Sequence, residues 1–381
     1  MSEIAADRAD RAAGAQRDLR LDVFRGLALA MIFINHVPGT VYENFTSRNF
    51  GLSDAAEGFV LMSGVAAGLA YSPLLRKAPW WPGIGRVWSR VWTLYLVHLF
   101  MTAWALAIAA GAALWLGTSH GLRVNEVQVL LREPLGFLVG VPLLTHQLGY
   151  VNILPMYAVM LFAAPAILWL ALRRPWRLAG LSAALWLLTG LFAWNLPAFP
   201  NAGGWFFNPL AWQVVFVTGL LTGVALRQGR RLVPVRRWAQ WLAGAIVLGA
   251  LLWVRVPPVG ETLNHLMWLA NQNGVDRFFT ITDKTYVTWP RLIHILALAY
   301  LLSSWGWVRR ACGAAAAAPL ALLGRNALPV FAAGSLLALS AQAVRQAVPP
   351  GFALDTALIL GGLSLQLLLA LVRDRLALKK W

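Results

Sequence analysis

The chain has 381 residues, 59% of them hydrophobic, with 20 Trp and a mean hydropathy of +0.63. That composition excludes an ordinary soluble domain and fits an all-α polytopic membrane protein whose tryptophans sit in interfacial belts. The net charge of +17 does not point to nucleic acid, because the basic residues form short clusters between apolar runs, as orientation signals do. A single cysteine, Cys312, excludes an intrachain disulfide and any cluster of metal-binding thiolates, and no metal site is expected.

In chain order, residues 1–22 read as a cytoplasmic N-terminal segment. They are polar and lack the apolar centre of a signal peptide, so the first span is expected to be an uncleaved anchor. Ten transmembrane helices are predicted, at about 23–41, 57–73, 91–115, 151–172, 178–195, 208–226, 238–254, 292–308, 327–344 and 356–372. The apolar stretch 134–148 is short and broken by Pro134, Gly136, Gly140 and Pro142. It reads as a re-entrant or lateral segment, since an eleventh span would break the charge alternation. On this assignment 24 of the 32 Lys and Arg fall on one side, which the positive-inside rule makes cytoplasmic, with both termini. Residues 23–372 then form a single transmembrane domain and 373–381 a cytoplasmic tail. Sizeable loops are expected only outside, at 117–133, 196–207 and 255–291.

The candidate chemistry starts in the first hairpin. Arg25 and His36 are eleven residues apart, so a helix places them on nearly one face and about 16 Å apart along its axis. A histidine inside a span is costly, and imidazole titrates near neutrality, which makes His36 a candidate general base. Ser53-Asp54-Ala-Ala-Glu57 has the form of a capping box. The same carboxylates lie across a hairpin from His36, where Asp54 or Glu57 could also orient the imidazole and stabilise its charged form. Arg86 and Arg90 precede the third span, with His98 two turns further on. Together with Arg20 and Arg25 they would make a basic cytoplasmic mouth suited to phosphate. Tyr150 and Asn152 in Gln147-Leu-Gly-Tyr-Val-Asn-Ile-Leu-Pro155, Trp212 and Gln213 in Phe207-Asn-Pro-Leu-Ala-Trp-Gln213, and Arg291 and His294 in Trp289-Pro-Arg-Leu-Ile-His294 all fall at predicted outer ends of spans. Capping and interfacial anchoring account for each alone, while three such clusters together suit the wall of a sugar site. No phosphate-binding Gly-rich loop with Lys, no HExxH and no GxSxG elbow is present.

Two resemblances rest on these residues. The Arg25-x10-His36 spacing, Glu57 seven residues before Gly64 in Phe59-Val-Leu-Met-Ser-Gly64, and the pair Arg86 and Arg90 resemble the signature of the integral-membrane acyltransferases, which move acyl groups from coenzyme A onto extracytoplasmic sugars. The stretches Arg20-Leu-Asp-Val-Phe-Arg-Gly-Leu-Ala, Asp54-Ala-Ala-Glu-Gly-Phe-Val, Leu94-Tyr-Leu-Val-His98-Leu, Gln147–Pro155, Phe207–Gln213 and Arg291-Leu-Ile-His294 resemble the OpgC branch, the succinyltransferases of osmoregulated periplasmic glucans. The resemblance implies ten spans in a bacterial inner membrane, a succinyl-CoA donor substrate with no permanently bound cofactor, and a periplasmic glucan as acceptor. His36 would be the base, with Glu57 or Asp54 behind it. Arg20, Arg25, Arg86, Arg90 and His98 would serve coenzyme A. Tyr150, Asn152, Trp212, Gln213, Arg291 and His294 would face the sugar, and a carboxylated acyl group would want a deep cation, with His98 and Arg291 as candidates. The rival expectation is a transporter or flippase for an anionic sugar or lipid-linked intermediate.

Overall fold

A computed structural model describes residues 18–76 and 78–378, with the side chains of 377 and 378 set aside. Most of the expected N-terminal segment and the last three residues of the expected tail lie outside them. The described residues are helical and contain no strand beyond one isolated bridge between Pro197 and Gly204. The helices of eight or more residues are α1 (Arg20–Asn35), α2 (Ala55–Tyr71), α3 (Trp81–Trp115), α4 (Ile153–Arg173), α5 (Pro175–Leu191), α6 (Pro209–Arg227), α7 (Arg237–Arg255), α8 (Pro257–Gln272), α9 (Trp289–Ser304), α10 (Gly306–Gly313), α11 (Ala318–Arg325), α12 (Ala327–Ala347) and α13 (Phe352–Leu378).

Every predicted span overlaps a helix, though 292–308 straddles the break between α9 and α10; six helices (α3, α4, α6, α7, α12 and α13) are long and apolar enough to cross a membrane. A seventh is reached if α9 and α10, bent by 75° across Trp305, count as one. The first span, expected to run to residue 41, ends at Asn35. Pro38 disfavours helical backbone at Val37, and Gly39 turns the chain at φ +83°. At 16 residues, α1 is about 24 Å long, short of a ~30 Å hydrocarbon core. The 134–148 stretch forms a seven-residue helix, Pro134–Gly140, followed by turns. The expected outer loop 255–291 holds α8 and a short helix at Arg277–Thr280, and the loop 309–325 is largely helical.

Glycines set how closely the central helices approach. Gly64 and Gly68 of α2 face Gly219 and Gly223 of α6, each pair spaced by four. A Cβ on Gly64 would lie 2.1 Å from the Phe216 carbonyl oxygen, and one on Gly219 would lie 2.1 Å from that of Leu61. The two backbones therefore touch, in the way small-xxx-small faces pack within membranes. Gly26 of α1 and Gly324 of α11 make a second such crossing. The main core gathers around these contacts from α2, α3, α4 and α6, with Trp212, Phe216, Met101, Met156 and Leu161 fully enclosed. On the outside, α7 buries only Ala243 and Ala250 and exposes Trp238, Trp241, Leu242 and Leu248. An apolar surface of that kind is suited to lipid.

Candidate active site

The start of α2 is densely bonded. Asp54 is the N-cap: its Oδ1 accepts from the Ala56 N–H at 2.8 Å, and Glu57 Oε2 accepts from the Asp54 N–H at 3.0 Å. The capping box is therefore real, and it leaves each carboxylate one oxygen. Arg291, in the first turn of α9, takes both. Its Nε donates to Glu57 Oε1 at 2.7 Å, and its second nitrogen lies 2.5 Å from that oxygen and 3.3 Å from Asp54 Oδ2. Lys284 Nζ lies 2.6 Å from the same Asp54 oxygen. Glu57 is fully buried and the Arg291 side chain is 12% exposed, while Asp54 and Lys284 reach partly to the surface, so two carboxylates and two cations balance one another across the edge of the core.

One turn along α9, His294 extends the clamp. Its Nδ1 accepts from the Ser53 N–H at 3.2 Å and lies 2.7 Å from Ser53 Oγ. A side chain at Gly51 would run into the ring, coming within 2.3 Å of Cε1. Arg291 and His294, expected to face sugar, instead fix the entry of α2 from α9.

His36 sits at the C-cap of α1, half-buried, and not within the helix as expected. Its ring packs on Tyr150 with centroids 4.5 Å apart. Its backbone carbonyl accepts from Gln342 Nε2 of α12 at 2.6 Å. The turn that follows is held by Arg345, which bonds the carbonyls of Pro38 and Gly39 and is itself paired to Asp355 at 2.7 Å. Nδ1 of His36 is buried and makes no hydrogen bond among the described residues. Asp54 and Lys284 act on the imidazole through space, but neither expected carboxylate bonds to it. The expected dyad is not formed, because Arg291, Lys284 and the cap already occupy those oxygens.

The arginines separate into two groups. Arg25 donates to the Met62 carbonyl at 3.3 Å. Arg25 and Arg90 both act electrostatically on the Tyr157 hydroxyl, and Arg86 and Arg90 act on that of Tyr71. Helices α1 to α4 thus converge on one basic region. Arg20 is elsewhere: it pairs with Asp18 and donates to the Ser303 carbonyl at 2.8 Å, five residues and about 140° around α1 from Arg25. His98 is enclosed between α3 and the turn at Val151, about 12 Å along the helix from Arg90.

Of the remaining expected sugar contacts, Asn152 is half-buried at the start of α4. Trp212 is fully buried, and its Nε1 donates to the Lys284 carbonyl at 3.0 Å. Gln213 spends its amide on Ser182, at 2.6 and 2.8 Å across α5 and α6. Both serve packing, because their helix turns them inward where the apolar core closes. Lys284 and Gln342 were not anticipated. Lys284 had a signal, as the one Lys of four outside the predicted cytoplasmic segments. Gln342 had none.

The chain matches the model of the family described as OpgC protein over residues 17–377. It belongs to the OpgC family. No curated protein and no solved structure matches it. OpgC membership implies a glucan-modifying acyltransferase associated with a membrane. The match covers the α2 cap, its clamp on α9 and the His36 turn.

Proposed function

We propose that this OpgC chain is a multi-pass inner-membrane O-acyltransferase, moving a succinyl group from cytoplasmic succinyl-CoA to a hydroxyl of a periplasmic glucan. The observation that carries this reading is His36: an imidazole at a helix end, fixed at its backbone by Gln342, packed on Tyr150, and about 16 Å along α1 from a basic region that includes Arg25. Ten spans and cytoplasmic termini are part of the same reading, with the arginine end facing the cytoplasm.

In the proposed reaction Arg25, Arg86 and Arg90 hold the phosphates of coenzyme A and the pantetheine arm runs up between α1, α2 and α3. His36 takes the proton of the sugar hydroxyl as its oxygen attacks the thioester carbon. The C–S bond then breaks, and the departing thiolate takes the proton back from the imidazolium. Lys284 opposes that transient positive charge through space and Asp54, to which it is paired, favours it, while Glu57 acts at one remove by holding Arg291 and the cap. The reading assigns Arg20 to anchoring α1 against α9.

The test is His36→Ala in purified protein, with transfer of labelled succinyl from succinyl-CoA to glucan as readout. Loss of a general base costs about 10²- to 10⁴-fold, with expression and unfolding unchanged, because one half-buried ring contributes little to packing. A variant that keeps more than about a tenth of wild-type transfer removes His36 as the base.

A further inference from the structure

A cleft opens beside His36 at the ends of α3 and α12, closed by the 118–149 segment. The space in it open to the centre of a water-sized group is about 40 Å³. The α3 wall is Ala105, Ile108, Ala109 and Ala112, three of the four small, and Leu339 and Ala343 of α12 face them. The polar groups are Thr118, His120, Asn125, Gln342 and Gln346. No Lys, Arg, Asp or Glu lines it.

Two facts tie this cleft to the reacting centre. Gln342 is a lining residue, and its amide nitrogen holds the His36 carbonyl at 2.6 Å. Gly149 is a lining residue, and Tyr150, next in the chain, carries the ring on which His36 packs. Asn125 and Tyr150 both have positive φ, 56° and 68°, so this wall is shaped by backbone that ordinary residues rarely adopt. The cleft is one side chain away from His36, on the side away from the arginine region.

We infer that this cleft holds one sugar unit of the acceptor glucan, next to the one that carries the reacting hydroxyl. The inference rests on the acyltransferase reading and names its acceptor subsite. The lining chemistry selects the ligand class. Neutral amides, a hydroxyl and an imidazole pair with sugar hydroxyls, and the aliphatic wall suits the C–H face of a pyranose ring. Coenzyme A carries several phosphate charges and would find no cation there. Gln342 then has two functions: it lines the subsite and it fixes the backbone of the base, so seating the glucan and orienting His36 share one residue.

The test has two arms. In the first, Ala343→Cys is made in a Cys312→Ser background, and its reaction with a water-soluble maleimide is timed with a neutral glucan oligosaccharide, with succinyl-CoA, or with neither. The inference expects several-fold slowing by the oligosaccharide and none by succinyl-CoA. Slowing by succinyl-CoA alone, or by neither, overturns it. In the second, Ala343→Phe narrows the cleft. The expected result is at least a 10-fold rise in half-saturating glucan, with unchanged half-saturating succinyl-CoA and unchanged slow hydrolysis of succinyl-CoA without acceptor. An unmoved glucan dependence in an active variant overturns the subsite and leaves the acyltransferase reading intact. Failure of the wild type to transfer any acyl group overturns that reading, while the protection arm still reports whether glucan binds in the cleft.

Discussion

Replacing Arg291 with Met should destabilise the fold by about 3 kcal/mol, the lower end of the ~3–5 kcal/mol expected when one partner of a buried ion pair is removed. Glu57 has no exposed surface, and Arg291 makes two of its contacts, at 2.7 and 2.5 Å. In Arg291→Met the Asp54 N–H at 3.0 Å remains as a partner of Glu57, and a single neutral donor does not compensate a buried carboxylate. The lower end applies because the arginine side chain retains 12% exposure and Asp54 keeps Lys284 at 2.6 Å. The double variant Arg291→Met with Glu57→Gln removes the stranded charge while leaving an amide oxygen for the cap, and should recover at least half of the loss. Reversible unfolding in mixed micelles gives the four corners of the cycle. Cys312, the only cysteine and 6% exposed, reports unfolding through its reaction with a fluorogenic thiol reagent. A single-variant loss under about 1 kcal/mol, or a double variant no more stable than the single, would show that the pair does not lock α2 to α9 as argued.

Three further outcomes are expected. Arg90→Ala should raise half-saturating succinyl-CoA about 10- to 150-fold, the equivalent of one charge-assisted contact at ~1.5–3 kcal/mol, with the glucan dependence unmoved in steady-state titrations; a shift in the glucan dependence instead counts against a donor site on α3. Gly219→Ala should prevent α2 and α6 from closing, because its Cβ would lie 2.1 Å from the Leu61 carbonyl, whereas Gly244→Ala on α7, with nothing within 4 Å, should be neutral or slightly stabilising; comparing folded yields in detergent decides this. Cysteines placed at Asn201 or Asn273 in a Cys312→Ser background should react with an impermeant thiol reagent on intact cells and one at Gln228 should not, and the reverse pattern would invert the proposed orientation.

Helix positions were legible because each apolar run is bounded by charge, proline or glycine. Span number was less so, since hydropathy does not report where a helix stops: the first span reads to residue 41 by hydropathy, whereas Val37-Pro38-Gly39 is the local stop signal, and α1 ends at Asn35. The capping box at Asp54 and Glu57 could be read from spacing alone. Its clamp could not, because Arg291 and Lys284 lie 237 and 230 residues from Asp54, and nothing in a local window pairs them. The same blindness affected Trp212 and Gln213, whose polar atoms suggested a ligand but are satisfied by Lys284 and Ser182. Gly64, Gly68, Gly219 and Gly223 were visible as residues, yet only their crossing shows why a side chain fails there.

The two ends of α1 explain why so much bonding is spent on so short a helix. At one end Arg25 joins the α3 arginines, and at the other His36 faces Tyr150 and Gln342. A 16-residue helix ending in a turn could fray and move the imidazole by several ångströms, enough to lose a near-attack geometry. Here four separate devices oppose that: the Gly26–Gly324 crossing with α11, the Gln342 bond to the His36 carbonyl, the Arg345 bonds to Pro38 and Gly39, and the Thr46 hydroxyl on Asn35 at 2.7 Å. None of them uses a ring nitrogen of His36. The supports hold the backbone and engage neither ring nitrogen, which is the division of labour the proposed general base would require.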